Sequence, residues 1–418
     1  MSLEYGRVAE RANGSVIARY GDTMVLVAAT IDEPREGVEF FPLRVDFIER
    51  LYAGGIIKGS RWVKREGRPS DDATVTARMI DRSIRPLFPE GMRHDVQVII
   101  LPLSVDNEND AGLLASVGTS AALAISDIPW NGPIATTRVG YLENEDEFLL
   151  NPTNGQLDQS SMDLIVSASK ERVLMIEADA EEISEDKVKE GIQFAHKGQE
   201  KILDLIGDLK ESVGKEKRTL EDLGIVEEEE EAIKQAKEEV ADYVRENFVN
   251  EILEDAILDY DEQEIYREKL YEEFEGRLTK ATMADILDKV LKQAVRENIL
   301  KGEQRLDGRA LDEVRLLDME VGMLPRTHGS ALFKRGSTQA LTVATLGSPS
   351  LEQIFESMTG EWTKRYIHHY SFPPFCVGET APLRGAGRRE IGHGMLAERA
   401  LRAVLPPQED FPYTMRLV

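Results

Sequence analysis

Cysteine is nearly missing from this sequence: Cys376 is the single one in 418 residues. A disulfide framework is therefore impossible within the chain, and a cysteine-based metal site is argued against. Long apolar runs are missing too. None approaches the roughly 20 residues that a helix needs to cross a bilayer. The opening MSLEYGRVAERANGS lacks the basic-then-apolar pattern of a secretory signal, so a cytoplasmic protein with no membrane association is expected. Positive charge is scarce: 51 Lys and Arg face 77 Asp and Glu, for a net charge of −26. That balance argues against general attraction to polyanions. Hydrophobic residues at 41% and charged residues at 31% still describe a folded globular chain. Its length suffices for two or three domains with sizeable cores.

The charge is unevenly spread. Much of the acid lies between Glu181 and Glu297, including the run Glu227 to Glu231. Between Lys58 and Arg93 the balance reverses, with Lys58, Arg61, Lys64, Arg65, Arg68, Arg78, Arg82, Arg85 and Arg93 against Glu66, Asp71, Asp72, Asp81 and Glu90. An acidic protein that holds a polyanion must gather its cations locally, and this stretch does so. A mixed-charge surface is the plainer account of the same residues.

Apolar β runs at Met24–Thr30, Val96–Leu103, Ile134–Tyr141, Leu164–Ala168 and Val173–Ile176 alternate with helical patterns at Thr74–Leu87 and Ala111–Ile125. The last two runs, separated by Ser169–Arg172, read as a hairpin. Strands interleaved with helices indicate an α+β fold of α/β type. From Ser184, a plausible N-cap, apolar residues recur at helical spacing through Val188, Ile192, Ala195, Ile202 and Ile206. After a polar break near Lys210–Arg218 the pattern continues through an acidic helical insert, whose charges are most simply solvated faces. β-like punctuation returns at Arg305-Leu-Asp-Gly-Arg309.

The return is a repeat. Glu4-Tyr-Gly6 corresponds to Glu320-Val-Gly322, Gly14-Ser15 to Gly329-Ser330, Gly21 to Gly336, Thr23 to Thr338, and Ala29-Thr30 to Ala344-Thr345. Arg82, Arg85 and Pro89 match Arg399, Arg402 and Pro406 at an offset of 317, and Arg65-Glu66 is matched to Arg389-Glu390. Extrapolated, the register puts Met415–Val418 opposite Val98–Leu101, in the middle of a strand. The expected organisation is a first core at 1–208, an acidic all-helical domain at 209–302, and an incomplete second core at 303–418.

Lys64-Arg-Glu-Gly-Arg-Pro-Ser70, Ile80-Asp-Arg-Ser-Ile-Arg-Pro-Leu-Phe-Pro89, Arg305-Leu-Asp-Gly-Arg309, Phe372-Pro-Pro-Phe375 and Gly387-Arg-Arg-Glu-Ile-Gly-His-Gly394 together resemble the signatures of the polynucleotide phosphorylase family. The resemblance covers essentially the whole chain. It implies two ribonuclease PH-like domains joined by an all-helical domain, and 3′→5′ phosphorolysis of single-stranded RNA with inorganic phosphate, releasing nucleoside diphosphates. It also implies magnesium, a ring-shaped homotrimer and partners in an RNA-degradation complex. Such chemistry must hold two anions against each other, and adjacent guanidinium groups suit that task because each grips phosphate bidentately and keeps its proton. The resemblance carries Arg388, Arg389 and His393 to the wall that contacts phosphate and the RNA 3′ end; an arginine pair in a structural ion-pair network is the competing account.

In the first copy, Trp62-Val63-Lys64-Arg65 resembles a channel-entrance loop where the family has two aromatics followed by two basic residues. Here one aromatic has become Val63, so stacking would rest on Trp62, with Lys64 and Arg65 on the RNA backbone. A core-anchored Trp62 is the alternative. Arg68, Arg78 and Arg82 resemble further basic positions around the first core's anion groove, although Arg82 and Arg85 could equally pair with Asp81 and Glu90. His368-His369 looks like a metal pair, but adjacent strand residues point to opposite faces. The family's serine-rich phosphate loop and magnesium-holding acids are expected beyond Val418, so no metal site is expected within the chain and this polypeptide alone is expected to have little activity. A non-catalytic RNA-binding ring subunit and a hydrolytic relative on the same fold stay open.

Overall fold

The computed structural model describes residues 1–35, 40–57, 67–224, 231–254, 263–302 and 305–418. Period-two alternation builds its first sheet. Val25, Val27 and Ala29 are buried on one strand and Val96, Val98 and Ile100 on another, as in strands with one face on a core. The strands are β1 (Ser2–Tyr5), β2 (Gly14–Tyr20), β3 (Thr23–Asp32), β4 (Leu43–Phe47) and β5 (Asp95–Ser104), in the spatial order β1-β2-β3-β5-β4. Only β4 and β5 run parallel, and the crossover between them carries α1 (Asp71–Ile84). This helix starts at Ser70, whose hydroxyl accepts from the Ala73 N–H, with Asp71 and Asp72 where the helix dipole favours anions. Next comes α2 (Ala111–Ile125), capped by the Asp110 carboxylate and buried along nearly its whole length against β2 and β3. A helix apolar all round belongs in a core.

A second sheet contains β6 (Ala135–Leu142), β7 (Glu147–Leu150), β8 (Met162–Ala168) and β9 (Val173–Ala180) in the order β7-β6-β8-β9, with the short α3 (Asn154–Leu157) between β7 and β8. The β8–β9 hairpin turns at Ser169–Arg172, where the Ser169 N–H donates to the Arg172 carbonyl. Ser184 caps α4 (Glu185–Gly198), and α5 (Glu200–Val213) buries Ile206 against α2. The polar segment that follows α5 remains bound to this core. Lys217 Nζ donates to the Leu123 and Ser126 carbonyls at 2.5 and 2.7 Å, and Arg218 pairs with Asp127 at 2.7 Å. The first compact unit spans 1–225, 321–331 and 341–418. A second unit, 226–320 with 332–340, contains α6 (Glu231–Asn247), α7 (Val249–Glu254), α8 (Glu264–Glu273) and α9 (Lys280–Gly302). Its own core is built on Val240, Val244, Phe248, Leu270 and Leu287.

The second copy of the repeat supplies β10 (Leu317–Val321), β11 (Gly329–Arg335), β12 (Thr338–Gly347), β13 (Gln353–Ser357), β14 (Gly360–Lys364), β15 (Tyr366–His368), α10 (Arg388–Arg402) and β16 (Thr414–Leu417). Its strands β11, β12, β16 and β15 lie in the order of β2, β3, β5 and β4. Pairing fixes the register. Ala344 faces Leu417 as Ala29 faces Val98, and His368 faces Leu417 as Val45 faces Val98. Met415 therefore stands in the place of Val96 at the strand's start and not, as extrapolated from the prolines, in that of Val98. The connection explains the slip: Val96 follows Pro89 by seven positions, Met415 follows Pro406 by nine. The helices also align without reference to the Arg-Glu pairs. Their N-caps, Ser70 and Gly387, place Arg388 and Arg389 where the first copy has Asp71 and Asp72. Arg65 and Glu66 lie outside the described residues.

Candidate functional site

Helix α10 opens with the wrong charge. Arg388 and Arg389 occupy its first two positions, at the positive end of the dipole, where cations are disfavoured by roughly 0.3–1 kcal/mol each. The first copy has two aspartates there. Glu390 offsets part of the mismatch by accepting from the Gly387 N–H at 3.0 Å. The Arg388 guanidinium donates to the Val45 carbonyl at 2.5 Å and lies 3.4 Å from Asp46. Asp46 also accepts from Gln97 Nε2 at 2.9 Å. Arg389 projects elsewhere, its guanidinium 5.5 Å from the centroid of Phe372. Four positions on, and hence on the same helix face, the exposed His393 has its ring 4.9 Å from that of Tyr370. Tyr370 and Phe372 are nearly parallel, 6.1 Å apart at 12°. One aromatic wall thus backs both Arg389 and His393.

Residues of the first copy join this wall. Arg78 of α1 lies directly over Gly392: a β-carbon there would stand 2.6 Å from its Nε, so a side chain at 392 would displace the arginine. Arg68 approaches Gly385, with Nη1 3.9 Å from where a β-carbon would lie. Arg82 does not join. It pairs with Glu177 of β9 at 2.6 Å, and Arg399 of α10 takes the other oxygen of the same carboxylate. Arg85 is held by Asp81 through two bonds of 2.7 and 2.9 Å, one of the two acidic partners expected for it. Trp62, Lys64 and Arg65 lie outside the described residues.

Beside the arginines opens a cleft of about 450 Å³ whose lining includes Arg68, Lys364, His368, His369, Glu398 and Arg416. Glu398 is buried and both its oxygens accept from Lys364 Nζ at 2.8 Å. His368 Nδ1 lies 2.8 Å from the Tyr366 hydroxyl. Burial pushes His368 below its ordinary pKa against the pull of Glu398, and pushes the Tyr366 hydroxyl up to about 12. His369 is likewise lowered, by burial and then by Arg416, which comes within 3.3 Å of its Nδ1. Both imidazoles are therefore neutral at pH 7. Among the described residues no group of three or more His, Cys, Asp or Glu is placed to hold a metal. Of the carboxylates that line the cleft, Glu398 is bonded to Lys364 and Glu390 accepts from the Gly387 N–H; Asp71 lines it as well.

Sequence reasoning missed Lys364, Arg416, Tyr370 and Asp46. Arg416 becomes readable once the strand register is corrected, because it takes the place of Gln97 and reaches His369 as Gln97 reaches Asp46. Tyr370 adjoins the Phe372-Pro-Pro-Phe375 motif. Lys364 and Asp46 carry no local signal.

This geometry belongs to a known class: the chain is a member of the 3′ exoribonuclease family. The family's domain 1 matches residues 1–129 and 313–418, and its domain 2 matches 132–198. Over its whole length the chain is 48% identical to proteins named polyribonucleotide nucleotidyltransferase from Halothermothrix orenii and from Caldicellulosiruptor bescii. It spans 60% and 59% of the length of those relatives. Among solved structures, rice (Oryza sativa) Rrp46 matches half of the chain and 93% of its own, at 17% identity and a TM-score of 0.42.

Proposed function

We propose that the protein degrades single-stranded RNA from its 3′ end by phosphorolysis, with Arg388, Arg389 and His393 holding inorganic phosphate and the terminal phosphodiester. The observation that carries this reading is the paired arginine at the positive end of α10. Arg388 is partly satisfied by the Val45 carbonyl and Asp46, but Arg389 meets only the Phe372 ring among the contacts described, and both guanidinium groups stand where the helix dipole favours an anion. Phosphate oxygen forms the new bond to the terminal phosphorus, the bond to the preceding 3′ oxygen breaks, and that oxygen takes a proton as the nucleoside diphosphate leaves. Arg389 and His393 share one helix face, on which the two anions can be held side by side with their repulsion compensated. Arg68 and Arg78 extend the cationic surface toward the incoming strand; Arg82, already paired, has the weaker claim to RNA. Trp62, Lys64 and Arg65 complete the RNA grip in this reading.

Magnesium would screen charge on the leaving oxygen. Asp71, Glu390 and Glu398 line the cleft but, among the described residues, form no cluster placed to hold the ion: Glu398 is taken by Lys364, and Glu390 accepts from the Gly387 N–H. No step is routed through magnesium here; its ligands are expected beyond Val418. A homotrimer, partners in an RNA-degradation complex, a cytoplasmic location and the three-part division at 208/209 and 302/303 belong to the same proposal. No helix among the described residues is long and apolar enough to cross a membrane.

The test uses a chain carrying the remainder that its relatives have. Arg388→Gln with Arg389→Gln should lower phosphate-dependent release of nucleoside diphosphate from poly(A) about a hundredfold or more, at roughly 1.5–3 kcal/mol per charge-assisted bond. Arg82→Gln with Arg85→Gln should be largely rescued by saturating RNA and phosphate. If instead the α10 variant is rescued and the α1 variant is dead, the active copy has been misassigned.

A further inference from the structure

The β13–β14 hairpin carries two aromatic rings that neither the core nor the arginine wall uses. Phe355 and Trp362 are direct cross-strand partners, their rings 4.2 Å apart and inclined by only 8°. Trp362 is 40% exposed. A cross-strand aromatic pair contributes to a hairpin's stability, but that contribution does not require an open indole face. Position relative to the cleft is what gives the pair a further use.

Side chains alternate across a strand, so the face holding Phe355 and Trp362 also holds Gln353 and Lys364, themselves direct partners. Gln353 and Lys364 line the cleft. The aromatic pair is thus the next step outward from the cleft on one continuous face. Lys364 connects the two: its Nζ is fixed by the buried Glu398 and lies 5.2 Å from the Phe355 centroid. The opposite face of the hairpin has a different character. It presents Glu356 directly across from Glu361, with Ile354 across from Thr363. The face with the stacked rings is the one that runs on into the cleft.

We infer that Phe355 and Trp362 form a stacking platform for an unpaired nucleobase of the RNA strand whose 3′ end enters the neighbouring cleft. The inference rests on the RNA-degrading reading above and extends it to a subsite. A flat π-face accepts any base, so the platform adds affinity without sequence choice. It also fits a processive substrate, because each shortening presents a new base to the same ring.

The experiment uses the full 418-residue chain with Trp62→Phe, so that the buried Trp130 and Trp362 are the remaining indoles. Oligo(A) should quench the fluorescence, while an abasic oligonucleotide of equal length and charge should bind with little quenching. Trp362→Ala should weaken oligo(A) binding about five- to a hundredfold and leave the abasic affinity and the salt slope unchanged; Trp362→Phe should restore most of the loss. Oligo(A) binding without quenching, together with an unchanged affinity in Trp362→Ala, overturns the platform and leaves the RNA reading standing. Failure of wild type to bind either oligonucleotide overturns the RNA reading itself. The quenching arm needs no substitution at 362, so it decides the question even if the alanine variant folds poorly.

Discussion

At the scale of single residues, the clearest physical commitment in the first core is Asp106. Its carboxylate accepts from the N–H groups of Asp22, Thr23, Glu108 and Asn109, and from the Thr23 hydroxyl and the Asn109 amide. Burial pushes its pKa up, but the bonds from Asn109, Glu108 and Thr23 outweigh it and hold the carboxyl well below the usual range. The turn it organises needs Gly21, at φ +60°, where a β-carbon would lie 2.6 Å from the Asp106 oxygen. A depressed carboxyl pKa contributes stability that is present above the unfolded value near 4 and is lost as pH falls toward the folded value. Asp106→Asn should therefore cost on the order of 2 kcal/mol at pH 7, with the gap to wild type narrowing below about pH 4. Urea unfolding at several pH values measures it, and a gap that stays constant down to pH 3 would mean that the charge is not what these donors hold.

At the scale of elements, the join between the two copies is a carboxylate shared by equivalent arginines. Arg82 and Arg399 occupy the same helix position in α1 and α10, 317 residues apart, and both close on Glu177, while Arg402 pairs with Asp179 on the same strand. Glu177→Gln leaves two guanidinium groups facing each other and should destabilise the fold by about 2–3 kcal/mol. Adding Arg82→Met should recover part of that loss, because one of two like charges is removed. A double-mutant cycle tests this, and strictly additive effects would show that Glu177 is not bridging them. The repeat made the equivalence of these arginines legible, yet nothing near either one announces Glu177. Its partners are 95 and 222 residues away. Local signals fared better: Ser184 as a cap, the hairpin at Ser169–Arg172 and the buried α2 could all be read from neighbouring residues. The strand register at Met415 could not, because two extra residues in a loop leave the apolar parity unchanged. The reversal from Asp71-Asp72 to Arg388-Arg389 was hidden by matching Arg65-Glu66 to Arg389-Glu390, a likeness of letters that the helix caps do not support.

At the scale of the whole molecule, a net charge of −26 must coexist with the polyanionic substrate of the proposed function. Long-range repulsion falls off within about 10 Å at 0.1 M salt, so what decides binding is the local count of cations that reach phosphates. Arg68, Arg78 and Arg389 lie along the first turns of α10 beside Arg388, which is shared with Asp46, whereas Arg82, Arg85, Arg399 and Arg402 are consumed by carboxylates. The stretch from Lys58 to Arg93 therefore supplies fewer free cations than its composition implies, and more of the grip falls to Lys64 and Arg65. Their contribution can be measured directly. On single strands each neutralised phosphate contributes about 0.7 to the slope of log affinity against log salt. Lys64→Ala with Arg65→Ala should lower the slope for oligo(A) by about 1.4, whereas Trp62→Ala should weaken binding at every salt concentration by a similar factor. Because the rest of the molecule is acidic, the loss in affinity should be largest at low salt, where those two charges oppose the least-screened repulsion. A double variant with the wild-type slope would assign the RNA backbone to the arginines of α1 and α10 alone.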